Sequence, residues 1–152
     1  MHVILIIIIA VAAFFLWRWW QKTRIEALRK EAVESFSIQL PGLANQFLEA
    51  AEATGKPRGL RWKNCELSGE PFFAKDRVTG EIYALVTATI SFEAIAGGGM
   101  EDVEAVGNLR CATAVFVYRD GSWTSDGQAV FNLEPAQSIE RFEESLEPLG
   151  SA

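Results

Sequence analysis

The chain holds one imidazole, His2, and two thiols, Cys65 and Cys111. Nucleophilic catalysis needs a nucleophile within reach of a base, and histidine is the commonest base. His2 precedes an apolar stretch that starts at Val3, whereas both cysteines lie in the body of the chain. The pattern therefore supplies no Ser–His or Cys–His pair and no histidine-based zinc site. Two cysteines are also too few for a four-thiolate zinc site. Each lies in a strand-like run, which predicts buried, inert thiols, with a disulfide between them as the alternative. Gly55-Lys56-Pro57 is not a phosphate loop: no Ser or Thr follows the lysine, and proline lacks the N–H a phosphate would use. Gly97-Gly98-Gly99 follows a strand pattern without opening a helix, so it is not a dinucleotide fingerprint. No G-x-S-x-G elbow occurs, and Asp120 and Asp126 lack the alternating ligands of a calcium loop. No catalytic residue, metal ligand or cofactor is expected. Glu81 and Glu93 paired in a closed concavity would be the arrangement that revives a carboxylate enzyme.

Two segments remain open. KPRGLRWK sets Lys56, Arg58, Arg61 and Lys63 around Trp62. These cations could meet anionic lipid headgroups beside an anchor, or form the exposed side of an edge strand, where lysine blunts pairing. AIAGGGMEDVEAVGN follows a long strand pattern and carries Gly97, Gly98, Gly99, Glu101, Asp102 and Glu104. It reads as a partner- or cation-binding loop, or as a mobile, solvated connection.

The elements that must position these segments begin with MHVILIIIIAVAAFFLWRWWQKTR. From Val3 to Trp20 the only charge is Arg18, and the stretch spans about 27 Å as a helix, close to a hydrocarbon core of about 30 Å. Trp17, Trp19 and Trp20 suit the headgroup layer, and Arg18 at the end can snorkel. A cleaved signal peptide is the lesser alternative: Met1 and His2 supply no basic n-region, and Ala10, Ala12 and Ala13, followed by Phe14 to Trp17, make a poor cleavage context. A buried core helix is disfavoured because the stretch is apolar on every face. Arg18, Lys22, Arg24, Arg29 and Lys30 follow the span, so the positive-inside rule puts the N-terminus outside and the remainder in the cytoplasm. Arg18 to Lys63 carries nine Lys/Arg against five Glu, while Asn64 to Ala152 carries five against fifteen Asp/Glu. That balance predicts basic residues at the membrane and an acidic end pointing into solvent, and it excludes a nucleic-acid partner.

Beyond the span, Ile25, Leu28, Ala32, Val33 and Phe36 recur at helical spacing, Glu26 and Lys30 can pair, and Pro41 should end or restart the helix. Leu43 to Ala51 then predicts a second amphipathic helix. From Leu60 the period becomes two: LRWKNCEL, FFAKD, EIYALVTATISFEAI, NLRCATAVFVYR and SWTSDGQAVFNL read as five strands. Gly80 and Asp120-Gly121 mark turns, and Pro135 opens a helix with Ile139, Phe142 and Leu146 as its stripe. The expected fold class is α+β: a transmembrane helix continuing into an amphipathic helix, a five-strand antiparallel meander packed on helices, and a short C-terminal helix. Residues 1–20 form the anchor, 21–55 the stalk and packing helices, and 56–152 the sheet part of one domain covering 21–152.

VFVYRDGSWTSDGQAVF resembles the closing strands of cystatin-like folds and of the related curved-sheet folds of nuclear-transport-factor type. GKPRGLRWKNCEL and ISFEAIAGGGMEDVEAVGNLRCATAVF resemble a family of membrane-anchored proteins of planctomycete bacteria. The resemblance covers most of Gly55 to Phe142 and implies no activity. The expected function is a non-catalytic binding or scaffolding module held on the membrane, with lipid and a protein or small ligand as partners. The alternatives are an extracytoplasmic domain on an uncleaved anchor, and a small enzyme using carboxylates.

Overall fold

The computed structural model describes residues 2–149, with side chains from residue 6 onward. Met1 and the His2 side chain lie outside the described residues. Helix α1 runs without a break from His2 to Ala53. The expected interruption at Pro41 is not there. A proline inside a helix removes one hydrogen bond and costs about 3 kcal/mol. Pro41 and Ser37, whose carbonyl loses its donor, are both exposed, so water can satisfy that carbonyl. On the opposite face, Ala32, Phe36, Leu43, Phe47 and Ala51 are buried in one cluster that continues through the proline. Packing on both sides of Pro41 overrides the local preference.

After α1 come β1 (Leu60–Asp76), β2 (Ile82–Ala94), a 3-10 turn (Glu104–Gly107), β3 (Arg110–Arg119), β4 (Ser122–Thr124), β5 (Ala129–Phe131), α2 (Pro135–Arg141) and β6 (Leu146–Pro148). All pairs are antiparallel, in the order β4-β3-β2-β1-β6, with β5 also on β3. The fold is α+β, with one open sheet laid on one long helix. The sheet has six strands where five were read, because the chain is divided differently. LRWKNCEL and FFAKD are one strand: Gly69, Glu70 and Pro71 form an irregularity between Ser68 and Phe72 that bulges without ending the pairing. SWTSDGQAVFNL is two strands, β4 and β5. The link between them presses on α1 at Gly127, where an added Cβ would lie 2.3 Å from the Ala51 nitrogen.

The alternation in β2 sets the faces. Ala84, Val86, Ala88, Ile90 and Phe92 are buried against α1. On the reverse face Leu85 and Ala74 pack under Ile139 of α2, with Tyr83 and Leu146 beside them. The C-terminal helix is shorter than its apolar stripe suggested. The chain turns after Phe142, and Leu146 pairs with Asp76 as the first residue of β6. From Leu60 to Phe72 the outer edge of β1 is unpaired among the described residues, with Lys63 at one irregularity and Pro71 at the other. Both residue types blunt an exposed edge.

The β1–β2 turn follows its sequence. Gly80 adopts φ +75°, and the Asp76 carboxylate accepts from the N–H groups of Val78 (2.8 Å) and Thr79 (2.7 Å). Those amides, Thr79 first, hold the Asp76 carboxyl below its ordinary value. A depressed carboxyl contributes stability above its unfolded pKa of about 3.9 and loses it as pH falls through the folded value. In an acid titration of unfolding, Asp76→Asn is therefore expected to flatten the loss of stability below about pH 4. A slope equal to wild type would sink this assignment.

Candidate functional site

The two open segments meet in space. Gly59 packs directly on Gly98: a Cβ on Gly59 would lie 2.7 Å from the Gly98 carbonyl oxygen. Ile95 N–H donates to Gly59 O at 2.9 Å, and Gly98 N–H donates back to Ile95 O at 2.8 Å. Only glycine allows this approach, and Gly59 also adopts φ +77°. Between the joined segments lies an apolar groove of about 310 Å³, bounded by Leu60, Phe92, Met100, Val106, Phe131 and Arg110. A second hollow of about 620 Å³ adjoins it across Pro57 and Phe131 and reaches Trp62, Lys56 and Gly127. The floor is aromatic: Trp62 contacts Phe92 at 4.9 Å and Phe131 at 6.4 Å between ring centroids. Trp62 is fixed by its indole N–H, which donates to Lys56 O at 2.7 Å. Ile95, Val103, Leu109 and Phe131 are exposed apolar side chains at this same end of the domain.

The Gly97–Gly99 connection is folded rather than a loose linker. Gly97 N–H donates to the Glu101 carboxylate, and backbone amides, led by that of Glu101 itself, hold this carboxyl below its ordinary value. Asp102 and Glu104 are exposed and do not line the groove. Among the described residues no group of three or more His, Cys, Asp or Glu is placed to hold a metal.

The lipid-headgroup expectation for Lys56, Arg58, Arg61 and Lys63 does not fit the architecture. These residues follow Ala53, which lies about 50 Å beyond Trp20 along the unbroken helix. They sit at the end of the domain away from the apolar stretch. Arg61 is also engaged, at 3.0 Å from Glu93 and 4.0 Å from Glu52. Lys63 lies on the free edge of β1, the second reading given to this segment.

The α1 segment from Ile6 onward contains the one helix, among the described residues, long and apolar enough to cross a membrane, and none of that apolar window is buried. Trp17, Trp19 and Trp20 are more than half exposed. The Arg24 guanidinium lies 5.5 Å from the Trp20 ring and that of Arg18 lies 6.0 Å from Phe14. Lys22 and Ile25 border a cleft that Lys75 and Glu147 close from the sheet side. Acidic residues therefore do not gather only at the far end: β6 brings Glu147 back beside the basic collar, because Leu146–Pro148 must pair with the start-proximal end of the sheet.

Glu81 and Glu93 do not form a pair. Glu81 precedes β2 and Glu93 lies near its far end, about 40 Å away along the strand. Glu81 accepts from Arg119 at 2.6 Å, and this bond is the main cause of its lowered pKa. Of the two thiols, Cys65 is as expected and Cys111 is not. Cys65 is buried, and burial pushes its pKa up to about 11. Cys111 is exposed. Cys65 pairs with Ile90 and Cys111 with Thr89, so they lie on opposite faces with β2 between them, and no disulfide can join them.

Sequence reading gave Phe92 only a place on the packed face of the long strand, and did not single out Phe131, Met100 or Arg110. Arg110 had a recoverable signal. It stands directly opposite Ile90, so it projects from the face that is otherwise the core face. Compared with known protein families, curated proteins and solved structures, the chain matches none.

Proposed function

We propose that the protein is a membrane-tethered, non-catalytic binding module. Its domain stands at the cytoplasmic face and carries its ligand site at the end remote from the bilayer. The observation that supports this most is the convergence of residues 56–63 and 95–110 on one aromatic-floored groove. A cluster of exposed apolar side chains around a concave site is a mark of recognition surfaces. The basic collar from Arg18 to Lys30 supports the orientation. The separated, individually paired Glu81 and Glu93 speak for binding over carboxylate catalysis.

Cysteine chemistry tests the orientation. A membrane-impermeant maleimide should leave intact cells unlabelled and should modify one thiol once the membrane is opened. That thiol is Cys111, so Cys111→Ser should abolish the signal, and Cys65 should react only after denaturation. Labelling of Cys111 from outside intact cells overturns the cytoplasmic placement. Ligand-observed NMR on the full chain in nanodiscs tests the site. Apolar aromatic fragments should bind wild type and lose at least tenfold in affinity with Phe131→Asp. Equal binding by both proteins sinks the groove as the site.

A further inference from the structure

We infer that the groove recognises an amphipathic monocarboxylate, a small molecule with an apolar body and one anionic head. This rests on the reading of the groove as the ligand site. Arg110 carries it. The residue begins β3 and faces the same side of the sheet as Ile90, Phe92 and Ala112, where every neighbouring strand position is apolar. Arg110 is itself exposed, so it stands at the rim of that face with its charge beside apolar walls. Arg110 has no carboxylate partner among the described residues, and its hydrogen bond goes to Ala105 O at 3.3 Å through one terminal nitrogen. Arg110 lines the hollow together with Met100, Val106 and Phe131, and its planar fork has further donors to offer a ligand there. A carboxylate matches that fork in two-point geometry, and the bond is charge-assisted.

The surroundings agree with one negative charge and an apolar body. Asn132 lies at the same hollow as Arg110 and offers a neutral donor. The loop carboxylates Glu101, Asp102 and Glu104 do not line either hollow, and Lys56 borders the second. The joined hollows are within the usual size of small-molecule sites, roughly 300–1,000 Å³. They suit a phenylalkyl group or a short acyl chain lying over Phe131. A more highly charged ligand would need further cations that the apolar walls do not provide.

The test uses the full chain in nanodiscs and two probes of matched shape, phenylbutyrate and its uncharged primary amide. Binding is read by isothermal titration and by the fluorescence of Trp62, with a Trp62→Phe protein identifying that signal. Phenylbutyrate should bind at least tenfold tighter than the amide. Arg110→Met should erase the difference between the two probes. Phe131→Ala should weaken both by a similar factor. Near-ultraviolet circular dichroism identifies any variant that fails to fold, and Arg110→Gln then serves as the replacement with the same readout. Equal binding of acid and amide by wild type overturns the carboxylate assignment and leaves the groove as a ligand site. Failure of both probes to bind overturns the groove reading itself. A preference for the acid that survives in both Arg110 variants removes Arg110 as its receptor and also overturns the proposal.

Discussion

Gly127→Ala will lose several kcal/mol of stability, the largest effect expected from adding a methyl group at any glycine among the described residues. The new Cβ would lie 2.3 Å from Ala51 N and 2.5 Å from Ala50 C and Ala51 Cα, all of them helix backbone that cannot rotate aside. Gly127 also adopts φ +75°, where a side chain adds strain of about 1–3 kcal/mol. Overpacking contributes about another 1–3 kcal/mol. Against a typical total of 5–15 kcal/mol, the sum is a large share. Gly80→Ala is the matched control, because Gly80 has the same φ of +75° with nothing within 4 Å of its added Cβ. Denaturant unfolding followed by tryptophan fluorescence should separate the two by at least about 1 kcal/mol. Coincident curves would show that the β4–β5 link does not rest on α1 as described.

Trp123→Ala should be comparably severe. Trp123 is 2% exposed and sits on β4 between α1 and the sheet. Its ring meets Phe36 at 4.9 Å, Tyr118 at 5.2 Å and Phe73 at 5.9 Å. Its indole N–H donates to Ala32 O at 2.9 Å, and its backbone N–H donates to the Gln39 side chain at 3.0 Å. Removing a buried indole costs about 3–5 kcal/mol. Trp123→Phe keeps most of the ring contact and loses the indole bond, at about 1–2 kcal/mol. Thermal or chemical unfolding should rank the three proteins wild type, Phe, Ala. An alanine variant within about 1 kcal/mol of wild type would mean that β4 does not fasten the helix to the sheet.

The sequence made the outline of the fold legible because most local signals agree with the tertiary result. The alternation from Ile82 to Phe92, the Asp120-Gly121 turn and Pro135 at the start of α2 all occur where they were read. The misread points are places where packing overrides a local breaker. Pro41 should stop a helix, but the buried stripe from Phe36 to Leu43 holds it straight through. Gly69 and Pro71 should separate two strands, but β2 offers a continuous partner on the other side. The site was half legible. Both of its walls were noticed for their glycines and cations. Their contact through Gly59 and Gly98 depends on a long-range register that no local pattern encodes, so Phe131 and Arg110 looked like ordinary strand residues.

The unbroken α1 makes the domain a lever. If residues up to Trp20 lie in a bilayer, Ala53 stands about 50 Å farther along the same rod. A tilt of about 20°, common for a single span, would sweep the groove sideways by roughly 17 Å. Ordinarily a proline partway along such a rod would let it flex and absorb the motion. Here Pro41 lies within the length that the sheet grips, between Phe36 and Leu43, so the weakest point of the mast is splinted. With that span in a bilayer, movements of the anchor would therefore reach the groove with little loss, and the groove would sample a disc of space at a nearly fixed height above the membrane.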